Sequence, residues 1–162
     1  MILINVPLWH FSDQQARQDQ VIDWTLIGDA PSARSFAAAI MRSDRSIPGA
    51  TSISDAIDFS VKLITEGGYR TTRCVIDISG DGRDNDGSRE VSEARDDAVA
   101  AGITINGLPI LEVEEGLDLY YQDNVIGGAD AFMVAADDFA SFGKAILQKL
   151  HREIAGGPQI RA

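Results

Sequence analysis

The chain has 162 residues and a formal net charge of −11 at pH 7, with 44% hydrophobic and 24% charged residues. These values are typical of one globular domain with a sizeable core, and an acidic chain without a basic stripe is excluded as a binder of nucleic-acid backbones. A single cysteine, Cys74, excludes an internal disulfide, and the two distant histidines, His10 and His151, give no material for His/Cys zinc sites or Cys–His catalysis.

The N-terminal part of the chain predicts a pair of strands. Residues 2–11 carry apolar side chains on both faces, which indicates a strand covered on both sides, although Pro7 removes one ladder donor. A short polar turn follows, and residues 20–27 predict a second strand. Because the separation is short, we expect the two strands to pair antiparallel.

Two helices are predicted next. Apolar residues recur on one side of residues 31–42, and Asp29 or Ser32 is suited to cap the start of that helix. From residue 53 to residue 64, isoleucine and valine recur every three or four positions, and this amphipathic helix is expected to end at Gly67.

The rest of the chain alternates strands with helices. Strands are predicted at residues 73–79, 103–110 and 131–136, and helices at residues 88–101, 115–123 and 137–154. The last helix carries a predicted apolar stripe of Phe139, Phe142, Ile146 and Leu150. This alternation predicts an α/β fold with a mostly parallel sheet between helical layers. We expect one domain over residues 1–154, followed by a flexible tail at 155–162.

An acidic, glycine-rich loop ends the predicted strand at 73–79. The acidic residues at this strand end are Asp77, Asp81, Asp84 and Asp86. In parallel sheets, ligands bind beyond the carboxyl ends of the strands, and hard cations such as Mg²⁺ take oxygen ligands. The loop is therefore either a solvated acidic turn or part of a divalent-cation site. An EF-hand beginning at Asp77 is excluded, because Ser88 stands where the bidentate glutamate is needed.

Thr51 is the candidate partner of this loop. It stands just before a predicted helix in PGATSISDAI, where its hydroxyl could face the same cation as Asp81. The alternative is that Thr51 or Ser52 caps the helix, with Asp55 completing a capping-box-like turn.

Several segments together resemble bacterial von Willebrand factor A-like proteins, and more narrowly a subfamily catalogued only as a domain of unknown function. The segments are PGATSISDAI, CVIDISGDGRDNDG, ARDDAVAAGITINGLPI, YYQDNVIGGADAF and DFASFGKAILQKLHREI, and the match runs from about residue 2 to residue 154. The resemblance implies a Rossmann-like three-layer sandwich, mostly parallel with an antiparallel edge strand. It also implies a metal-ion-dependent adhesion site on the upper edge of the sheet.

The resemblance also implies roles for individual residues. Thr51 matches the family threonine and Asp81 the family aspartate, and both would be ligands of Mg²⁺ or another divalent cation. Asp77 is not a family ligand and is a candidate group beside the bound ion. Asp84 and Asp86 are expected to be solvated.

The sequence departs from the family at its start. The family motif Asp-x-Ser-x-Ser follows a first, central strand, and nothing before Trp9 offers that motif. We therefore expect an N-terminally shortened member that keeps two of the five protein ligands, with weak or lost metal binding. A sheet without its central strand also predicts low thermal stability or self-association through the incomplete edge.

The resulting interpretation is a non-enzymatic protein-interaction module that binds an acidic side chain of a protein partner through a partial adhesion site. No His, Cys or Lys lies near Thr51 or Asp81 in sequence, which disfavours a metal-assisted hydrolase or phosphotransfer protein. A degenerate, metal-free binding scaffold is the other alternative. We expect no nucleic-acid partner and no membrane span. Relatives commonly look exported, but the N-terminal stretch is a poor signal peptide, so the sequence leaves the compartment open.

Overall fold

The computed structural model describes residues 2–12, 15–42, 51–68 and 71–155, with side chains described for residues 22–42, 51–68 and 71–154. The chain divides into two compact units, residues 1–50 and residues 51–162. Each unit contains one described two-stranded sheet.

The first unit contains an antiparallel hairpin. β1 (Ile2–Ser12) pairs with β2 (Gln15–Ile27) from end to end, which confirms the antiparallel pair expected from the short polar turn. The register shifts on both sides of Val6. This irregularity adjoins Pro7, which has no N–H to donate to the ladder.

The helix of the first unit begins at the capping residues predicted for it, Asp29 and Ser32. α1 spans Ala30–Arg42. The Ser32 N–H donates to Asp29 Oδ1 at 2.9 Å, and the Ser32 hydroxyl accepts from the N–H groups of Gly28 and Asp29 at 3.1 Å each. The two side chains thus satisfy N–H groups at the helix start. The hydrogen bonds from Ser32 also hold the pKa of Asp29 below its usual value.

The second unit is built on two parallel strands. β3 (Cys74–Gly80) pairs with β4 (Ile103–Pro109) without a break in register. In β3 the buried residues alternate, with Ile76 and Ile78 inside, whereas every residue of β4 is buried. β4 is therefore covered on both faces, as expected for a parallel strand between helices.

Helices flank this sheet. They are α2 (Ile53–Glu66), α3 (Val91–Ala100), α4 (Leu117–Tyr120), which continues into a π-helical turn at Tyr121–Val125, and α5 (Phe142–Ala155). Ile57 of α2 and Ala94 of α3 join the isoleucines of both strands in one apolar cluster. Ala145 of α5 packs with Leu108 of β4 in a second cluster. The chain is thus mixed α/β, and the helices predicted at 53–64, 88–101 and 115–123 are confirmed with shifted ends.

No helix in the described parts of the chain is both long and apolar enough to cross a membrane. Residues 156–162, which make up nearly all of the predicted tail, lie outside the described residues.

Residues 131–136, predicted as a strand, lie parallel to β4 but form an interrupted ladder rather than a continuous strand. The segment meets β4 only at two isolated parallel bridges, Gly107–Met133 and Ile110–Ala136. Between these bridges lies Pro109, whose carbonyl accepts from the Ala136 N–H at 2.9 Å but which has no N–H to return. The missing donor interrupts the ladder, because a parallel pairing needs both groups of alternate residues.

The last helix starts later than predicted, and only Phe142 and Ile146 of its predicted apolar stripe pack against the core. Asp138 and Ser141 form a turn before α5, with the Ser141 N–H donating to Asp138 Oδ1 at 2.7 Å. Phe139 therefore lies outside the helix and is 55% exposed, and Leu150 is also exposed. Their places in the predicted stripe are wrong. The most deeply buried side chain of α5 is Lys149, which has no exposed surface.

Candidate functional site

The loop after β3 is fastened to the residue that precedes α2. The Thr51 N–H donates to Asn85 Oδ1 at 2.8 Å, and the Thr51 carbonyl accepts from the N–H groups of Asn85 and Asp86 at 2.9 and 3.2 Å. Both backbone groups of Thr51 are therefore satisfied by the loop. The two segments that the sequence predicted to meet do lie side by side.

This fastening puts the Thr51 hydroxyl beside the residue that follows Asp81. A Cβ placed on Gly82 would lie 3.7 Å from Thr51 Oγ1 and 3.7 Å from Glu114 Oε2. The absence of a side chain at Gly82 leaves space between the hydroxyl and the loop backbone. The Thr51 hydroxyl makes no hydrogen bond within the described residues, so it is available to a ligand.

Neither Thr51 nor Ser52 caps α2 with its side chain. Ser52 occupies the N-cap position without a side-chain cap bond, and its hydroxyl donates to Asp55 Oδ2 at 2.8 Å. Asp84 supplies the cap from the loop instead, because its Oδ2 accepts from the Ser54 N–H at 2.8 Å. The positive end of the helix dipole also stabilises a carboxylate at this position. The capping alternative is therefore wrong for Thr51, whereas Ser52 does stand at the N-cap position and bonds Asp55, without a side-chain bond to a helix N–H.

Asp84 is also tied to its own loop. Its Oδ1 accepts from the Gly87 N–H at 2.8 Å, and a Cβ on Gly87 would overlap the Asp84 carboxylate and the Ser54 hydroxyl. The expectation that Asp84 is solvated is therefore wrong, because its carboxylate accepts from three backbone N–H groups, those of Ser54, Asp86 and Gly87. Asp86 is exposed, as expected for a solvated acid.

The carboxylate of Asp81, like that of Asp86, has no hydrogen-bond or ion-pair partner among the described residues. Asp81 is also exposed. The nearby arginine is committed elsewhere, since Arg83 Nε lies 2.7 Å from Glu114 Oε1 and the Arg83 guanidinium lies 5.2 Å from the Tyr120 ring centroid. Arg83 therefore does not neutralise Asp81, which leaves that carboxylate open to a cation from solution.

Tyr121 also lies in this region, although the sequence predicts for it only a place in the short helix at 115–123. It opens the π-helical turn and is fully buried, and its hydroxyl has no hydrogen-bond partner among the described residues. A Cβ on Gly80 would lie 3.0 Å from that hydroxyl. Burial, with the neighbouring Tyr120 and Asp81, raises the pKa of Tyr121 well above its usual value. The hydroxyl is therefore a neutral donor at the end of β3.

The donors gathered at this edge suit a hydrated hard cation. Thr51 and Asp81 offer oxygen atoms, which Mg²⁺ prefers. Within the described ranges, no group of three or more His, Cys, Asp or Glu side chains could hold a metal ion. An ion held by these two residues would take most of its ligands from water, as protein-bound Mg²⁺ often does. Binding of a divalent cation by Thr51 and Asp81 stays a prediction.

Asp77, the third candidate, is directed at α5. Its carboxylate pairs with Lys149, whose Nζ also lies 2.8 Å from Glu153 Oε1. Asn106 donates to the same Glu153 oxygen at 2.9 Å and accepts from the Phe132 N–H at 3.0 Å. Asp77, Lys149, Glu153 and Asn106 thus form one polar cluster. The contacts of the Asp77 side chain lie within this cluster, and its role beside a bound ion stays a prediction.

The cluster contains two carboxylates for one ammonium group. Burial, followed by the hydrogen bond with Glu153, raises the pKa of Asp77 to about 6, against the opposing effect of Lys149. Hydrogen bonds from Asp77, Lys149 and Asn106 outweigh burial and lower the pKa of Glu153. Asp77 is therefore the group of the cluster that gains a proton first as the pH falls.

Comparison with known families gives a match over nearly the whole chain. A family model described as "Protein of unknown function (DUF1194)" matches residues 2–158, and no curated protein matches the chain. The matched range covers both compact units. The chain belongs to the DUF1194 family of proteins of unknown function.

Proposed function

We propose that the chain is a non-enzymatic protein-interaction module with a von Willebrand factor A-type, Rossmann-like three-layer fold. Its partial metal-ion-dependent adhesion site, Thr51 and Asp81, weakly binds Mg²⁺ or another divalent cation. Through an open coordination position, the ion takes an acidic side chain of a protein partner.

One observation carries this proposal. Asn85 satisfies both backbone groups of Thr51, and the Thr51 hydroxyl, which makes no hydrogen bond within the described residues, lies 3.7 Å from the position that a Cβ on Gly82 would take, just beyond the end of β3. Asp81, the next residue back, is exposed and has no partner among the described side chains. A hydroxyl and an unpaired carboxylate at a strand end are a suitable partial cage for a hard cation. The net charge of −11 supports cation attraction to this edge.

An enzyme is less well supported. An open depression of about 490 Å³ lies on the same loop, lined by Asp84–Val91 and Glu93. This lining includes acids, Ser88 and Arg89, but neither a His, a Cys nor a Lys that would act as a base or nucleophile beside a metal.

A metal-free scaffold is the closer alternative, with self-association as one form of it. Within the described part of the second unit, β3 pairs with β4 on one side only. An unpaired strand edge is a template for pairing with another chain. Sedimentation at increasing protein concentration tests this form, and a concentration-independent monomer contradicts it.

Metal binding tests the leading proposal directly. Titration with Mn²⁺ is expected to broaden the amide resonances of Thr51, Asp81 and Gly82 first, because a paramagnetic ion relaxes nuclei near its site. Asp81→Asn is expected to weaken Mn²⁺ binding by about tenfold or more, since a charged ligand is worth at least about 1.4 kcal/mol. Thr51→Val is expected to weaken binding by a smaller factor.

Asp86→Asn is the matched control. It removes one negative charge from the same loop, and Asp86 is exposed and outside the proposed cage. Equal losses for Asp81→Asn and Asp86→Asn would reduce the effect to diffuse electrostatic attraction and overturn the site.

The three candidate functions differ in whether partner binding depends on the ion and in whether the protein turns over a substrate. Capture of a partner that requires Mg²⁺ and is lost in Asp81→Ala supports the adhesion module. Capture of the same partner in the presence of a chelator supports the metal-free scaffold. Turnover of phosphoesters by the protein would favour the enzyme.

A further inference from the structure

Among the described arginines of the second unit, two differ from the other three in their partners. Arg83, Arg89 and Arg95 each form an ion pair with a carboxylate. Arg73 and Arg152 form none with any described residue. These two arginines line the same small cavity. Both guanidinium groups therefore keep their charge without a carboxylate partner among the described residues, in a chain with a net charge of −11.

Each of the two guanidinium groups has one contact that fixes its position. The Arg152 guanidinium carbon lies 4.0 Å from the centroid of the Phe132 ring, and Arg73 Nη1 donates to the Glu153 carbonyl at 3.1 Å. Phe132 is itself buried, and its N–H is fixed by Asn106. A guanidinium has five N–H donors, so most donors of both side chains stay free. The two groups are thus preorganised without being neutralised.

The nearby carboxylates are accounted for. Asp77 and Glu153 are both engaged by Lys149. Asp130 is the one carboxylate that lines the cavity. It is exposed, has a positive φ of 57°, and makes no ion pair with either arginine. The cavity lining therefore carries two positive charges and one negative charge.

We infer that this cavity binds a small oxyanion, a phosphate or carboxylate group, through Arg73 and Arg152. Planar guanidinium groups bind both chemistries with paired N–H donors. The cavity measures about 160 Å³, well below the roughly 300–1,000 Å³ of pockets for drug-sized ligands. It therefore takes an inorganic anion or the end group of a larger molecule. The site is independent of the proposed cation site, because it shares no residue with that site.

Anion titration of the full chain tests the inference. The probes are sodium phosphate and sodium succinate, added separately at constant ionic strength while the Nε–Hε resonances of Arg73 and Arg152 are followed. At least one probe is expected to give saturable shifts, with a millimolar dissociation constant because Asp130 lies at the same cavity. Phosphate alone would assign a tetrahedral anion, and saturation by both would assign the shared oxyanion chemistry.

Three variants make the test specific. Arg152→Gln, at an exposed position, is expected to weaken binding by about tenfold or more, because it removes charge-assisted hydrogen bonds. Asp130→Asn is expected to tighten binding about two- to threefold by removing the opposing charge, and Asn tolerates the left-handed backbone of this position. Lys144→Gln, on the same helix but outside the cavity, is expected to change the affinity less than twofold.

Two results overturn the inference. One is the absence of saturation with both phosphate and succinate. The other is equal weakening by Lys144→Gln and Arg152→Gln, which would mean that anions respond only to the overall charge. Circular dichroism of each variant verifies that it is folded, so a loss of binding is not a loss of structure.

Discussion

Asp77 and Asp81 lie four positions apart near the carboxyl end of β3, yet their carboxylates have opposite surroundings. Asp77 is paired with Lys149, an ammonium group with no exposed surface. Asp81 is exposed and has no partner in the described chain. The protein thus supplies a permanent cation to one acid and leaves the other to take a cation from solution. The first is expected to matter for stability and the second for binding.

The largest effect is expected from removing the permanent cation. Lys149→Met leaves Asp77 and Glu153 facing each other in a partly buried site without a positive charge. Breaking a buried pair this way typically costs about 3–5 kcal/mol, and we expect about 3 kcal/mol because 34% of the Asp77 side chain remains exposed. Urea unfolding at pH 7 measures the change in the free energy of unfolding.

Lys144→Met is the control for that measurement. Lys144 lies on α5 as well, but it is exposed and forms no ion pair among the described residues. Its replacement is expected to change the free energy of unfolding by less than about 0.5 kcal/mol. Similar losses in the two variants would show that the cluster contributes no special stability.

The next effect concerns the acidic loop itself. Asp84→Ala removes the acceptor of the Ser54 N–H at the start of α2 and of the Gly87 N–H in the loop. Loss of a helix cap costs about 0.5–2 kcal/mol, and we expect the upper half of this range because a second N–H is also orphaned. Thermal or urea unfolding measures it. An equal effect of Asp86→Ala, whose exposed side chain caps nothing, would contradict the capping role.

A smaller effect, set by pH, is expected from Asp77. Its pKa is about 6 in the folded chain against an ordinary value of 3.8, so the folded state binds the proton more tightly than the unfolded state. The stabilisation due to this protonation is complete below about pH 4 and is lost as the pH rises through about 6. One proton changes the free energy of unfolding by at most about 1.4 kcal/mol per pH unit.

Asp77→Asn isolates this contribution. The free energy of unfolding of the wild type, measured relative to the variant by urea unfolding, is expected to fall between pH 4.5 and pH 6.5. Glu153 acts in the opposite sense, because its pKa is lowered and its contribution is lost only as the pH falls below its ordinary value of 4.5. Parallel curves for wild type and variant across this window would refute the raised pKa.

The sequence predicted the features that depend on local pattern. Period-3.6 apolar residues located α2, and apolar strand patterns located β3 and β4, because each of these elements buries one face or both. The rule that ligands lie beyond the carboxyl ends of parallel strands brought Thr51 and the acidic loop to one edge, and Asn85 holds them there. These inferences need only neighbouring residues and the layer order of the fold.

The features that escaped prediction depend on partners distant in sequence. Lys149 is charged, so a periodicity count assigns it to the exposed face, and its burial makes sense only with Asp77, 72 residues earlier. The cap of α2 comes from Asp84, 30 residues beyond Ser54, so no local capping pattern reveals it. The orphaned hydroxyl of Tyr121 has no sequence signal, since tyrosine fits an apolar stripe whether or not its hydroxyl is bonded.

The smallest effect on stability is expected at Asp81, and it completes the contrast with Asp77. Asp81→Asn breaks no described hydrogen bond or ion pair, so the free energy of unfolding in the presence of a chelator is expected to stay within about 0.5 kcal/mol of the wild type. Added Mg²⁺ is then expected to raise the urea midpoint of the wild type but not of the variant, because an ion that binds only the folded state stabilises it by mass action. A loss in chelator as large as that of Asp84→Ala would mean that Asp81 supports the loop rather than a ligand. In that case Asp77 and Asp81 would both stabilise the fold, and the Asp81 carboxylate would not serve as a ligand for a cation from solution.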